Sequence, residues 1–217
     1  MTLPDPPLLL ITDRKQARRP LDELVAQACA AGCRWISIRE KDLPQSEQIA
    51  LVRTLQPIAQ RAGARLILHG EAQVAREAAL DGVHLAAGSD ARTARQLLGR
   101  RGLIGISIHS AGEAAELDAA ALDYLIAGPA YTTASKPGYG PSLGPHGVAA
   151  IVCASPIPVI AIGGIAADNI AAVMQAGAAG VAVMGGVMRA ADPAGEIASL
   201  LVTLGAPRMR AVSRGQL

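Results

Sequence analysis

PVIAIGG (Pro158–Gly164) and, further on, GVAVMGG (Gly180–Gly186) decide how this chain is read. Each is a short apolar run ending in paired glycines, and an Ala-rich stretch follows each. Such a run between turn residues reads as a strand buried on both faces. Paired glycines at its end let backbone N–H groups approach a ligand with no Cβ in the way. Two such strand ends late in an α/β chain predict a phosphate cradle at Gly163, Gly164, Gly185 and Gly186. The loops after strands 7 and 8 of a (β/α)8 barrel build such a cradle. A side chain at Gly164 is therefore expected to obstruct a phosphate more than it disturbs the fold.

Working back from these runs, the chain divides into strand–helix units. Strands are expected at Leu8–Thr12, Trp35–Arg39, Arg65–His69, Gly82–Leu85, Leu103–Ile108, Tyr124–Ala127, Val159–Ile162 and Val181–Met184. Helices are expected across Leu21–Ala31, Ser46–Ala62 (with Pro57 tolerated or kinking), Ala72–Ala79, Ala91–Leu98, Glu113–Ala120 and His146–Cys153, and after each of the last two strands. The joints AGCRWISI, ALDGVHL, ALDYLIAG and AGAAGVAV resemble one another, with small residues where a helix ends and the chain turns back into the sheet. Alternating units of this size favour a closed (β/α)8 TIM barrel over an open doubly wound sheet. Residues 1–204 read as one such domain. The segment from Gly205, with Arg208, Arg210 and Arg214 but no apolar periodicity, reads as a frayed tail.

Composition sets the outer limits. The 217 residues suffice for one domain with a sizeable core. Trp35, Tyr124, Tyr131 and Tyr139 are the only aromatic residues of the Phe, Trp and Tyr class, so the core is built from Ala, Val, Leu and Ile. The net charge is +2, with no basic stripe and no stacking aromatics, which argues against nucleic-acid binding. The uncharged stretch Gly147–Ala167 is broken by Pro156 and Pro158, so a membrane span is rejected. Leu8–Ile11 is too short for a signal peptide, and Cys29, Cys33 and Cys153 cannot all pair. The expected compartment is the cytoplasm.

In a barrel of this kind the C-terminal ends of the strands carry function. Arg39, Lys41 and Lys136 are cations that closure brings to one mouth, where they and the glycine N–H groups make a face for phosphate or diphosphate. The alternative is that Arg39 and Lys41 pair with Glu40 and Asp42 at the surface. The run TTASKPGYGPSLG (Thr132–Gly144), with Thr132, Thr133 and Lys136, reads as a flap over a ligand. His69, Ser107 and His109 fall near the mouth, and the two histidines are candidate acid–base groups. His84 lies inside a strand and reads as a satisfied structural histidine. Cys29 and Cys33 read as buried thiols, and no His/Cys cluster has zinc spacing.

SIREKD (37–42), DGVHL (81–85), IGISIHS (104–110), GPAYTTASKPG (128–138) and VIAIGGI (159–165), in this order and spacing, resemble the thiamin phosphate synthase/TenI family. The likeness runs from LLLITD (8–13) to AVMGGV (182–187). It implies a TIM barrel in thiamin biosynthesis that binds a small phosphorylated thiazole at strands 7 and 8. One branch, the synthase, joins hydroxymethylpyrimidine diphosphate to thiazole phosphate and expels diphosphate with the help of Mg²⁺. Its pattern makes Arg39 and Lys41 diphosphate ligands, but it has Gln at the place of Ser37 and Asn-Asp at the place of His69-Gly70. Glu71 and Asp90 are the remaining candidate metal ligands on that reading. The other branch, TenI, aromatises a thiazole carboxylate phosphate by proton transfer and needs no metal. LHG (68–70) and LAAGSD (85–90) resemble TenI more closely, although Pro129 stands where a tautomerase carries its acid–base histidine. The expectation is therefore a TenI-like tautomerase with His69 moving the proton. The synthase is the alternative, and a non-catalytic thiamin-pathway ligand-binding or regulatory protein is the second alternative. A homo-oligomer is left open.

Overall fold

A computed structural model of the chain describes residues 2–133 and 141–205. Its strands are β1 (Leu8–Ile11), β2 (Trp35–Ile38), β3 (Arg65–His69), β4 (Gly82–Leu85), β5 (Leu103–Ile108), β6 (Tyr124–Ala127), β7 (Val159–Ile162) and β8 (Gly180–Val183). Among the described residues these strands pair in parallel, each with the next, and β8 closes on β1. The helices between them are α1 (Leu21–Ala30), α2 (Gln45–Arg61), α3 (Ala72–Glu77), α4 (Ala91–Leu98), α5 (Ala111–Glu116), α6 (Gly144–Ala154) and α7 (Ile170–Gln175). After β8 come α8 (Gly185–Met188) and α9 (Pro193–Thr203). This is the expected (β/α)8 TIM barrel.

Alternation along each strand sorts its side chains into two cores. Leu8, Leu10, Ile36, Ile38, Leu66, Leu68, Ile104 and Ile106 point outward into the helices. Leu9, Ile11, Trp35, Ile67, Leu103, Tyr124, Ile126 and Ile160 point inward and fill the barrel. Trp35 and Tyr124 meet edge to face with centroids 4.8 Å apart and form the broadest part of the interior packing. Gly105 on β5 makes space for this: a Cβ there would lie 2.1 Å from the Tyr124 ring. The inward set ends at the mouth with polar residues, because the same alternation carries on through His69, His84 and Ser107.

The differences from the sequence expectation have local causes. The helix expected over Glu113–Ala120 starts earlier, at Ala111, because Ser110 caps it. Ser110 Oγ accepts from Glu113 N–H (3.2 Å), and the Glu113 carboxylate accepts from His109 N–H (3.1 Å). Leu117 is extended and ends the helix, and a 3₁₀ turn follows at Ala119–Ala121. The segment after β8 is split because Asp192, accepting from Gly195 N–H (3.0 Å), starts a new helix with Pro193 at its first position. Pro57 is tolerated within α2. No helix of the described residues is long and apolar enough to cross a membrane. Residues 206–217, most of the expected tail, lie outside the described residues.

Candidate active site

The C-terminal ends of the strands surround a cavity of about 540 Å³. Its first wall comes from β1 and β2. Thr12 Oγ1 accepts from Arg39 N–H (3.0 Å) and donates to Glu40 Oε1 (2.8 Å). Glu40 is almost fully buried, and its carboxylate also accepts from the backbone N–H and the guanidinium of Arg14 (3.1 Å each). Arg14 reaches on to Asp42 with two bonds (2.6 and 2.7 Å), and Lys15 adds a third cation contact (2.9 Å). Arg14, ahead of Lys15, holds the Asp42 carboxyl well below the usual carboxylate range. The acids beside Arg39 and Lys41 are thus taken up by Arg14 and Lys15. Arg39 and Lys41 both line the cavity.

The floor is built from β3, β4 and β5. His69 and His84 are neighbours in register, with ring centroids 4.7 Å apart. His84 stacks over Tyr124 (5.7 Å) and shares a hydrogen bond of 2.9 Å with Ser107 Oγ. It is completely buried. Loss of solvent, with the Lys41 ammonium nearby as a smaller cause, pushes its pKa down to about 3, so the ring is neutral. Its Nδ1 has no hydrogen-bond partner among the described residues. The expected satisfied structural histidine is therefore only half bonded, and it belongs to the site. His109 also lines the cavity, and its Nδ1 donates to the Gly128 carbonyl (2.8 Å).

The rest of the lining comes from the loops after β6, β7 and β8. The chain after β6 is tied to the end of β7 by Ala130 N–H to Ile162 O (2.7 Å) and Tyr131 N–H to Gly163 O (2.9 Å). Gly163 (φ 101°) and Gly164 (φ 63°) make this close approach possible. A Cβ on Gly163 would lie 2.8 Å from Pro129, and one on Gly164 would lie 2.6 Å from the Thr132 carbonyl. Another loop presses on both residues, so a side chain at Gly164 strains the fold itself, against the expectation that it would chiefly obstruct a phosphate. Asn169 secures the same turn, donating to Gly164 O (2.8 Å) and accepting from Ala166 N–H (3.0 Å). Gly185 and Gly186 open the first turn of α8, where backbone N–H groups have no intrahelical acceptor. Thr132, Thr133, Pro129 and Arg189 complete this lining. Lys136 and the middle of the expected flap lie outside the described residues.

The candidate metal ligands are not gathered here. Glu71 is exposed at the start of α3. Asp90 caps α4, accepting from the Arg92 and Thr93 N–H groups (2.9 and 3.3 Å) and from the Thr93 hydroxyl (2.6 Å). Neither lines the cavity. Among the described residues no group of three or more His, Cys, Asp and Glu side chains is placed to hold a metal ion. Hard cations such as Mg²⁺ take oxygen ligands, so this donor set does not fit one. Cys29 and Cys33 are buried, and burial pushes the Cys33 thiol up to about 12.

The chain is thus a closed (β/α)8 barrel whose mouth is lined by cations and by glycine turns. The family described as thiamine monophosphate synthase matches residues 8–187, and the chain belongs to that family of enzymes. A Geobacter sulfurreducens relative is 43% identical over 205 residues, covering 94% of this chain and 96% of its own. A thiamine-phosphate synthase of Moorella thermoacetica is 38% identical over 187 residues, covering 86% and 89%. The solved thiamine phosphate pyrophosphorylase of Pyrococcus furiosus superposes with a TM-score of 0.81 at 31% identity, over 91% of this chain and 95% of that one. These names favour the synthase over the tautomerase that LHG and LAAGSD put first.

Proposed function

We propose that this chain works in thiamin biosynthesis as a thiamin phosphate synthase, joining hydroxymethylpyrimidine diphosphate to thiazole phosphate with release of diphosphate. The observation that carries the reading is that two sets of anion-binding groups line one cavity. Arg39 and Lys41 follow β2, and the glycine turns follow β7 and β8. A reaction between two phosphorylated substrates needs two such places, whereas a tautomerase acting on one phosphate needs one. The relatives named as synthases support the same choice.

On this reading the thiazole phosphate sits on the N–H groups at Gly163, Gly164, Gly185 and Gly186. The diphosphate lies along Arg39 and Lys41, with Lys136 assigned to it from the sequence. The thiazole ring nitrogen forms a bond to the pyrimidine's methylene carbon as the bond from that carbon to the diphosphate oxygen breaks. Both electrons of the broken bond leave with the diphosphate, and the cations stabilise the charge that develops there. The nitrogen attacks through a lone pair and the product is a thiazolium, so no proton need be removed. That suits a floor whose buried histidine is neutral. His84 and Ser107 present polar edges to a heteroaromatic ring, and His69 and His109 orient rather than cycle protons. Family members use Mg²⁺, but no step here is routed through it, because the carboxylates are not placed to hold it.

The test is one purified sample given each substrate set in turn. Thiamin phosphate and diphosphate should appear in equal amounts from the two-substrate mixture. Aromatisation of thiazole carboxylate phosphate without any joining would overturn the reading in favour of the tautomerase.

A further inference from the structure

All eighteen Asp and Glu residues of the chain lie within the described residues, and none of them lines the cavity. The acids nearest the mouth are committed to other partners. Glu40 is held by Thr12 and Arg14, and Asp42 by Arg14 and Lys15. Asp90 caps a helix, and the Glu113 carboxylate accepts from His109 N–H and from the Ser110 hydroxyl. The cavity lining instead carries Arg39, Lys41 and Arg189, three histidines, and the hydroxyls of Ser107, Thr132 and Thr133. A magnesium ion between protein and diphosphate is usually held by one or two protein carboxylates beside the phosphate oxygens and waters, and a carboxylate would also offset its charge among these cations.

We infer that the cavity takes its diphosphate ligand free of any divalent cation, with Arg39 and Lys41 supplying the positive charge that magnesium would bring. The inference rests on the synthase reading for the identity of the ligand's diphosphate group, but concerns only how that group is held. Guanidinium groups meet phosphate oxygens in a two-pronged geometry, and an ammonium adds a point charge, so this set can replace an ion electrostatically. His69 fits the same logic, because an imidazole donates to an anion but is a poor ligand for Mg²⁺.

The test uses the full-length protein and inorganic diphosphate as the probe. Binding is measured by calorimetry in excess EDTA and again with Mg²⁺, each referred to the concentration of the species added. Metal-free diphosphate should bind at least as tightly as its magnesium complex. Arg39→Ala and Lys41→Ala should each weaken metal-free binding about tenfold or more, in line with the loss of one charge-assisted contact. Binding that appears only with Mg²⁺, or tightens tenfold with it, overturns the inference. So does an absence of binding in both arms, and so does wild-type affinity in both variants. Metal-free binding without any joining activity would support the inference while refuting the synthase reading, which keeps the two failures apart.

Discussion

Acidification from about pH 7 to about pH 5 should destabilise this barrel through His84, and the size of the effect can be worked out. The ring is fully buried, faces Lys41 and His69, stacks on Tyr124 and bonds Ser107. Its folded pKa of about 3 lies below the ordinary 6.5 that it regains on unfolding. The stabilisation is therefore complete above the unfolded value and is lost as pH falls from there toward the folded one. Over this interval the unfolded chain takes up a proton that the folded chain refuses. Integrating at about 1.4 kcal/mol per decade of proton activity gives a loss of about 2 kcal/mol. Carboxylates titrate over part of the same range, so the assay is a comparison. Urea unfolding of the wild type and of His84→Gln is followed across these pH values. Glutamine keeps a donor for Ser107 and has no proton to gain. The gap between the two proteins should narrow by about 2 kcal/mol on acidification. Parallel curves would refute the reasoning, and an imidazole resonance titrating near 6.5 in the folded protein would locate the error in His84 itself.

The glycine pairs separate fold from binding. Gly164→Ala, with its left-handed φ and its approach to the Thr132 carbonyl, should cost about 2–5 kcal/mol in denaturant unfolding. Gly186→Ala, whose Cβ meets only Glu196 at 3.8 Å, should leave stability nearly unchanged and weaken thiazole phosphate affinity; unchanged affinity removes Gly186 from the cradle. Glu40→Gln replaces the buried carboxylate that collects Thr12 and Arg14, and should lose about 1.5–3 kcal/mol with reduced diphosphate affinity. A variant as stable as wild type would show that Thr12 alone positions Arg39.

The barrel was legible because each strand is a short apolar run between turn residues, and that signal needs no partner to be read. Arg65–His69, Leu103–Ile108 and Val159–Ile162 fall where the runs place them. The final strand lies one residue earlier than its apolar run suggests. Its pairing with β7 brings in Gly180 opposite Ile160, and a Cβ there would lie 2.3 Å from the Pro7 carbonyl. The site was legible only in part. His69, Ser107, His109, Arg39 and Lys41 could be placed at the mouth because each lies at or just beyond a strand's end. From sequence His84 reads as a satisfied structural histidine, because its place in the site depends on the register of β4 against β3 and β5, which is a property of closure. The reason for Gly163 and Gly164 was hidden for the same cause: the loop that presses on them comes from another strand. The engagement of Glu40 by Arg14 joins residues far apart in sequence, with nothing local to announce it.

The column Trp35, Tyr124, His84 and His69 makes the floor of the cavity continuous with the packing inside the barrel. This divides the molecule into regions of unequal evolvability. A change to the ring that touches a substrate from below disturbs stacked neighbours down to the opposite end, so selection for a new substrate meets selection for folding at the same atoms. Arg39, Lys41, Thr132 and Arg189 border the mouth and carry no such column beneath them. Exchange of such a rim residue should therefore cost less folding stability than exchange of Trp35, Tyr124 or His84.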